Sequence, residues 1–130
     1  MTGVRRTAVE VPGLEHPQPI PVAVWAGDVL FTSPIGPRRA DGSIPDALDD
    51  QLDVTFANLR RVVHGAGATL DAVGMVHVHL RRREDRPALN EHWLACFVDE
   101  PRPARMVSQA DLPAGVDVLL TLTAVRACPE

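Results

Sequence analysis

The stretch Val116 to Arg126 carries apolar residues on both phases of a strand-like alternation. Val118, Leu120 and Leu122 fall in one phase, and Leu119 and Val125 in the other. Successive side chains of a strand point to opposite sides, so such a strand expects cover on both faces. Only two helical patterns lie upstream. Two helices packed together cover one face of a sheet and leave the other bare. A short chain meets that need by packing sheet against sheet between copies of itself.

The rest of the chain fills in the layers. Val22 to Trp25 and Val29 to Thr32 read as two strands around a tight Gly27-Asp28 turn. Residues 1–18 hold several prolines and read as an edge strand or an arm, followed by a loop. Pro34 to Pro45 is a loop rich in Pro, Gly and Arg. From Asp46 to His64, the residues Leu48, Leu52, Phe56, Leu59, Val62 and Val63 recur at helical spacing. Acidic residues come early and Arg60-Arg61 late, as the helix dipole favours. Gly65 and Gly67 end that helix. Val73 to Leu80 reads as a strand, Arg86 to Val98 as a second helix, and Arg105 to Ala110 as another strand. The expected order is β-β-α-β-α-β-β, an α+β fold with two helices on one face of a mixed sheet.

Composition bounds the possibilities. The 130 residues suit one domain, 1–130, with a single core. No apolar run reaches the ~20 residues of a membrane helix. No secretory signal is visible behind Arg5-Arg6, so cytoplasmic residence is the expectation. The two cysteines, Cys96 and Cys128, lack metal-like spacing and need not pair. All 13 basic residues are arginine, which excludes Schiff-base catalysis by lysine and a phosphate-loop lysine. There is no tyrosine, hence no phenolic acid or base. A net charge of −4 argues against a general nucleic-acid binder. Arg81-Arg82-Arg83 reads as a solvated strand end.

Arg105, in Arg102-Pro103-Ala104-Arg105-Met106-Val107-Ser108, is the chief candidate for binding chemistry. A guanidinium at a strand end, beside free backbone N–H groups, suits a planar carboxylate. A plain salt bridge is the competing reading. His77 and His79 share one strand face but have no third ligand at a telling spacing. His64 sits where a helix C-terminus favours a cation. His92 lies on a helix beside Trp93, and Cys96 reads as core packing. Neither Ser33 nor Ser108 has a recognisable His–Asp partnership.

Several segments together resemble the Rid/YjgF family of reactive-intermediate deaminases, from about Pro19 to Val125. They are Ala26-Gly27-Asp28-Val29-Leu30-Phe31-Thr32-Ser33, then Gln51, Asn58-Leu59 and Gly65 to Asp71. Ala88 to Trp93 with Phe97, Arg102-Pro103-Ala104-Arg105 and Leu112-Pro113 follow in family order. The resemblance implies a chorismate-mutase-like homotrimer with ligand clefts between subunits, no cofactor and no metal. It assigns Arg105 to the substrate carboxylate, Ser33 to the strand-end serine near the ligand, and Asn90 to the second-helix asparagine of the cleft. Met106 and Val107 stand where the family uses backbone groups to hold ligand or water.

The departures are chemical. Ile20 stands at about the family's tyrosine and Val107 at its cysteine. Thr121 stands at about the last-strand glutamate that positions water, with Leu119 two residues before it. The segment from Arg105 to Leu112 is one residue shorter than usual. Thr121 can hydrogen-bond a water but cannot act as its base near neutral pH. His16, in His16-Pro17-Gln18-Pro19-Ile20-Pro21, resembles a subgroup with histidine in place of the tyrosine motif and is a candidate acid–base group. An exposed loop histidine is the competing reading.

The expectation is an enamine/imine deaminase acting on a small carboxylate, with release of ammonia and a 2-oxo acid. An aminomuconate-deaminase-like role, suggested by Ile35-Gly36-Pro37-Arg38 and Ile44-Pro45, is an alternative. So are a biosynthetic step on a reactive imine and a non-catalytic ligand-sensing trimer. The sequence names neither substrate nor pathway.

Overall fold

The computed structural model describes residues 5–126; Cys128 lies outside them. The elements run β1 (Arg6–Val9), β2 (Ala23–Ala26), β3 (Val29–Thr32), α1 (Leu48–Gly65), β4 (Val73–Leu80), α2 (Arg86–Cys96), β5 (Ala104–Gln109) and β6 (Val118–Val125). They form one six-stranded sheet ordered β1-β2-β3-β6-β4-β5. Only β4 and β5 pair in parallel, across the α2 crossover, so the sheet is mixed. The N-terminal segment is an edge strand antiparallel to β2, which adds one strand to the order expected from sequence.

Local chemistry sets the boundaries. Gly27, at φ 61°, makes the tight turn between β2 and β3. At the end of α1, Gly67 adopts φ 80°. Its N–H donates to the His64 carbonyl, and the Ala68 N–H donates to that of Val63. That pair of bonds is the Schellman stop expected of a glycine just past a helix. Pro87 lies in the first turn of α2, where its missing N–H costs nothing.

Both helices lie on one face. Leu52, Phe56, Leu59, Val62 and Val63 of α1 are buried with Leu89 and Trp93 of α2. The sheet meets them with Val76, Val78 and Leu80 of β4 and Val118, Leu120, Leu122 and Ala124 of β6. Three polar residues of α1, Gln51, Thr55 and Asn58, are fully buried or nearly so, and two of them bond to loops through their side chains. Gln51 Nε2 donates to the Pro45 and Gly115 carbonyls, and its Oε1 accepts from the Asp117 N–H. Asn58 Nδ2 donates to the Gly36 and Arg38 carbonyls. These bonds replace water for loop carbonyls and pin two loops to α1.

The opposite face carries no helix. Met75, His77 and His79 of β4 stand there in register with Met106 and Ser108 of β5 and with Leu119, Thr121 and Thr123 of β6. Phe31, Met75, Met106 and Val125 are exposed on it. The second apolar phase of β6 is therefore not buried within one chain. Arg81 also departs from a merely solvated strand end. It donates to the Val116, Leu112 and Pro113 carbonyls and pairs with Asp117 at 3.4 Å, clasping the β5–β6 connection. Its neighbours Arg82 and Arg83 are exposed.

Candidate active site

Two regions gather the residues singled out by sequence. The first is the Arg105 corner. Arg105 lies on β5, an edge strand, in the phase that faces the helices, paired with Val76. Its Nη2 donates to Asn90 Oδ1 at 2.8 Å. The guanidinium carbon stands 5.0 Å from the centroid of the Trp93 ring. Asn90 and Trp93 are three residues apart on α2, so they occupy neighbouring points of one helix face. One holds the edge of the fork and the other its flat side.

Arg105 is half-buried, and no carboxylate lies within ion-pair reach of it among the described residues. Burial, then the nearby Arg86 charge, shift the guanidinium below its ordinary proton affinity. It stays protonated, as arginine does in proteins. A partly desolvated cation without an anion is electrostatically unsatisfied. The fork edge not committed to Asn90 remains for a planar anion. Met106 and Val107 continue the same edge strand, which has backbone N–H and C=O groups turned away from the sheet.

The second region is a cleft of about 440 Å³ on the other half of the molecule. Its walls come from the loop after β1, the loop after β3, α1 and β6. His16 and Ile20 line it, with Pro34 to Arg38, Ile44, Asn58 and Leu119. Ser33 immediately precedes the Pro34 wall. The Asn58 bonds described above hold this wall in place. Gly36 fits because a Cβ there would come within 2.6 Å of Leu119 Cδ2. Among the described residues that line it, His16 and Arg38 alone carry ionisable groups. Arg38 Nη2 donates to the Glu15 carbonyl at 2.6 Å.

Thr121 is not part of this wall. Leu119 lines the cleft; Thr121, one residue pair further along β6, sits opposite His77. Both share the open face because strand side chains repeat every two residues. The last-strand residue at the cleft is thus apolar. Among the described residues, no carboxylate lines this cleft to orient water.

The two regions do not meet within one chain. From β3, where Ser33 follows, to β5, where Arg105 sits, is three strand spacings. At about 4.8 Å each, that is roughly 14 Å. A small carboxylate cannot touch both from inside one copy.

The remaining candidates are structural. His77 Nε2 lies 3.0 Å from Ser108 Oγ, and its ring stacks on His79 at 4.2 Å. His92 lies between Asp49 and Asp53, at 2.8 and 3.2 Å, bridging α2 to α1. Cys96 is buried, and burial pushes its thiol up, away from nucleophilic use. His64 is exposed.

Sequence reasoning passed over Trp93 as the guanidinium's support, and Asn58, Arg38 and Ile44 as cleft residues. Asn90-x-x-Trp93 spacing was a usable signal for the first. A buried asparagine on an apolar helix stripe was a signal for the second.

The family model described as endoribonuclease L-PSP matches residues 6–126. The chain belongs to the Rid/YjgF family. It is 32% identical over 108 residues to a 2-iminobutanoate/2-iminopropanoate deaminase of Dermatophagoides farinae, covering 78% of this chain and 84% of that protein. A RutC family protein of Saccharolobus solfataricus is 31% identical over 111 residues, covering 82% and 85%. Among solved structures, RidA from an Antarctic Psychrobacter superposes with a TM-score of 0.86 at 24% identity, over 92% of this chain and 99% of that one. Escherichia coli TdcF, determined with bound serine, gives 0.86 at 25% identity, over 93% and 99%. The Rid/YjgF fold expected from sequence is therefore the fold observed. No described helix is long and apolar enough to cross a membrane.

Proposed function

We propose that the protein is a homotrimeric enamine/imine deaminase. The substrate is a carboxylate with a 2-imino or 2-enamino carbon, and the products are a 2-oxo acid and ammonia. The observation that carries this reading is Arg105: half-buried, oriented by Asn90 and Trp93, and without an anion among the described residues. The deaminase name of the mite relative and the serine bound to TdcF support a small carboxylate with nitrogen on its α-carbon. A free, buried Cys96 is in keeping with a cytoplasmic setting.

The site is shared between copies. Arg105 and Asn90 of one copy, with the edge backbone at Met106 and Val107, grip the carboxylate. Ser33, His16 and the cleft of the next copy receive the rest. The bare sheet face with Phe31, Met75, Met106 and Val125 supports assembly, because monomers rarely leave such a patch in water.

The chemistry follows from this division. An enamine takes a proton on carbon and becomes an iminium. Water adds to the iminium carbon, a proton passes to nitrogen, the C–N bond breaks and ammonia leaves. His16 is the candidate acid–base group among the described cleft residues. It accepts the proton from water and returns it to the departing amine. Thr121 contributes at most a hydrogen bond to water along β6.

The test is ammonia release in a coupled assay, from 2-imino acids generated in place by an amino-acid oxidase. The reading expects acceleration over spontaneous hydrolysis that Arg105→Ala abolishes. One observation favours a second reading, a ligand-sensing trimer: among the described residues, no carboxylate lines the cleft. Tight binding of 2-oxo acids without acceleration of any imine would select it.

A further inference from the structure

The cleft beside His16 has a size and lining that a small imine does not explain. Open on one side, it offers about 440 Å³. An apolar cavity of ~150 Å³ already takes a benzene ring. The methyl of a 2-iminopropionate would leave most of the space to water. The walls are Leu14, Ile20, Ile35, Ile44, Val62 and Leu119, with prolines between them. Part of the polar lining is committed; His16, Gln18 and the rest of the Arg38 guanidinium are left to the cleft. Asn58 Nδ2 serves the Gly36 and Arg38 carbonyls, and Arg38 Nη2 serves the Glu15 carbonyl. A pocket with a broad apolar wall and few free polar groups is built for an apolar body.

We infer that this cleft selects substrates whose side chain is large and apolar, branched aliphatic or aromatic, over those with a methyl or a second acid. The inference rests on the carboxylate-binding reading above and narrows its substrate class. Leu119 is central to it. A side chain that removes the usual water-positioning carboxylate also adds apolar wall, and Gly36 leaves the room that Leu119 fills. His16 at the same cleft puts the proton-transfer group beside the side-chain pocket.

The expected size of the effect comes from desolvation. Each methylene buried is worth roughly fourfold in affinity, so three more carbons give about sixtyfold when all are buried. Calorimetry with stable 2-oxo acids reads this without turnover. In the wild-type assembly, 4-methyl-2-oxopentanoate and phenylpyruvate should bind at least about tenfold more tightly than pyruvate or 2-oxoglutarate. Ile44→Glu places a charge in the wall at a partly exposed loop position, and the ratio should collapse towards one. Ile20→Glu, at an exposed position, gives a second variant that folding readily tolerates. Imine turnover is measured beside binding, on imines from leucine, phenylalanine and alanine. Equal affinities, tightest binding of 2-oxoglutarate, or full discrimination surviving both variants would overturn the inference while leaving deamination in place. Discrimination in binding without ammonia from any imine would sustain the inference and remove the deaminase reading.

Discussion

The Arg105 corner and the His16 cleft are built in different ways. The corner rests on regular elements: β5 supplies the arginine, and one face of α2 supplies both Asn90 and Trp93. The cleft is built largely from two loops, which Asn58 ties to α1 through backbone carbonyls. An arginine on a strand, braced by a helix, is held in one orientation. Loop walls can change their side chains without disturbing the core. The corner therefore keeps the arginine and asparagine proposed to grip a carboxylate, while the cleft carries the departures: Ile20, Leu119 and a largely apolar interior. On the proposed function, the difference separates what would anchor a substrate from what would choose it.

The sharpest way to break this comparison is to remove the anchor. Arg105→Ala loses a charge-assisted pair of hydrogen bonds, each worth about 1.5–3 kcal/mol. A fall in kcat/KM of about a thousandfold is expected, with loss of 2-oxo acid binding by calorimetry. Arg105→Lys should recover only part, because an ammonium cannot reproduce the fork. Next comes the cleft's proton-transfer group. His16→Ala should lower kcat by about a hundredfold while 2-oxo acid affinity stays close to wild type. Equal loss of binding and rate would make His16 part of the grip instead.

A smaller effect locates the missing carboxylate. Leu119→Glu should raise turnover of the smallest imine by up to about tenfold, since that side chain faces the cleft. Thr121→Glu, beside His77, should not. The reverse ranking would put the water site on the other residue pair of β6.

The smallest effect concerns the bare face. Burial, and then the neighbouring His77, lower the His79 pKa below its ordinary 6.5. The unfolded chain thus takes up a proton at this site more readily than the folded one. Stability from this group is present above about 6.5 and declines as pH falls through that value. Thermal unfolding between pH 7.5 and 5.5 should show a decline that His79→Gln reduces; an unchanged slope would separate His79 from it.

Much of the fold was legible because its signals are periodic. Strands 29–32 and 73–80 came out at their observed limits, and α1 differed by only a residue or two at each end. The N-terminal strand was left open between an arm and an edge, because four residues beside a proline loop carry too little alternation to decide. Arg105 and Asn90 were legible as a pair only through family resemblance, but their contact follows from an edge strand meeting a helix. The cleft was legible only in pieces: the resemblance pointed to His16 and Ile20, but not to the wall they share with α1. Loop residues such as Ile44 and Arg38 have no periodic pattern, and Leu119 and Thr121 share one face of β6, so alternation alone does not say which of them reaches the cleft.

The central claim is that the anchor and the cleft act together only across subunits. Subunits carrying Arg105→Ala and subunits carrying His16→Ala should each form an inactive or nearly inactive assembly. Co-assembled in equal amounts from a mixed unfolded state, about a quarter of the inter-subunit sites receive an intact Arg105 from one chain and an intact His16 from its neighbour. Imine turnover should then return to about a quarter of wild type. No recovery in verified mixed assemblies would place both residues' function within a single chain and contradict the account.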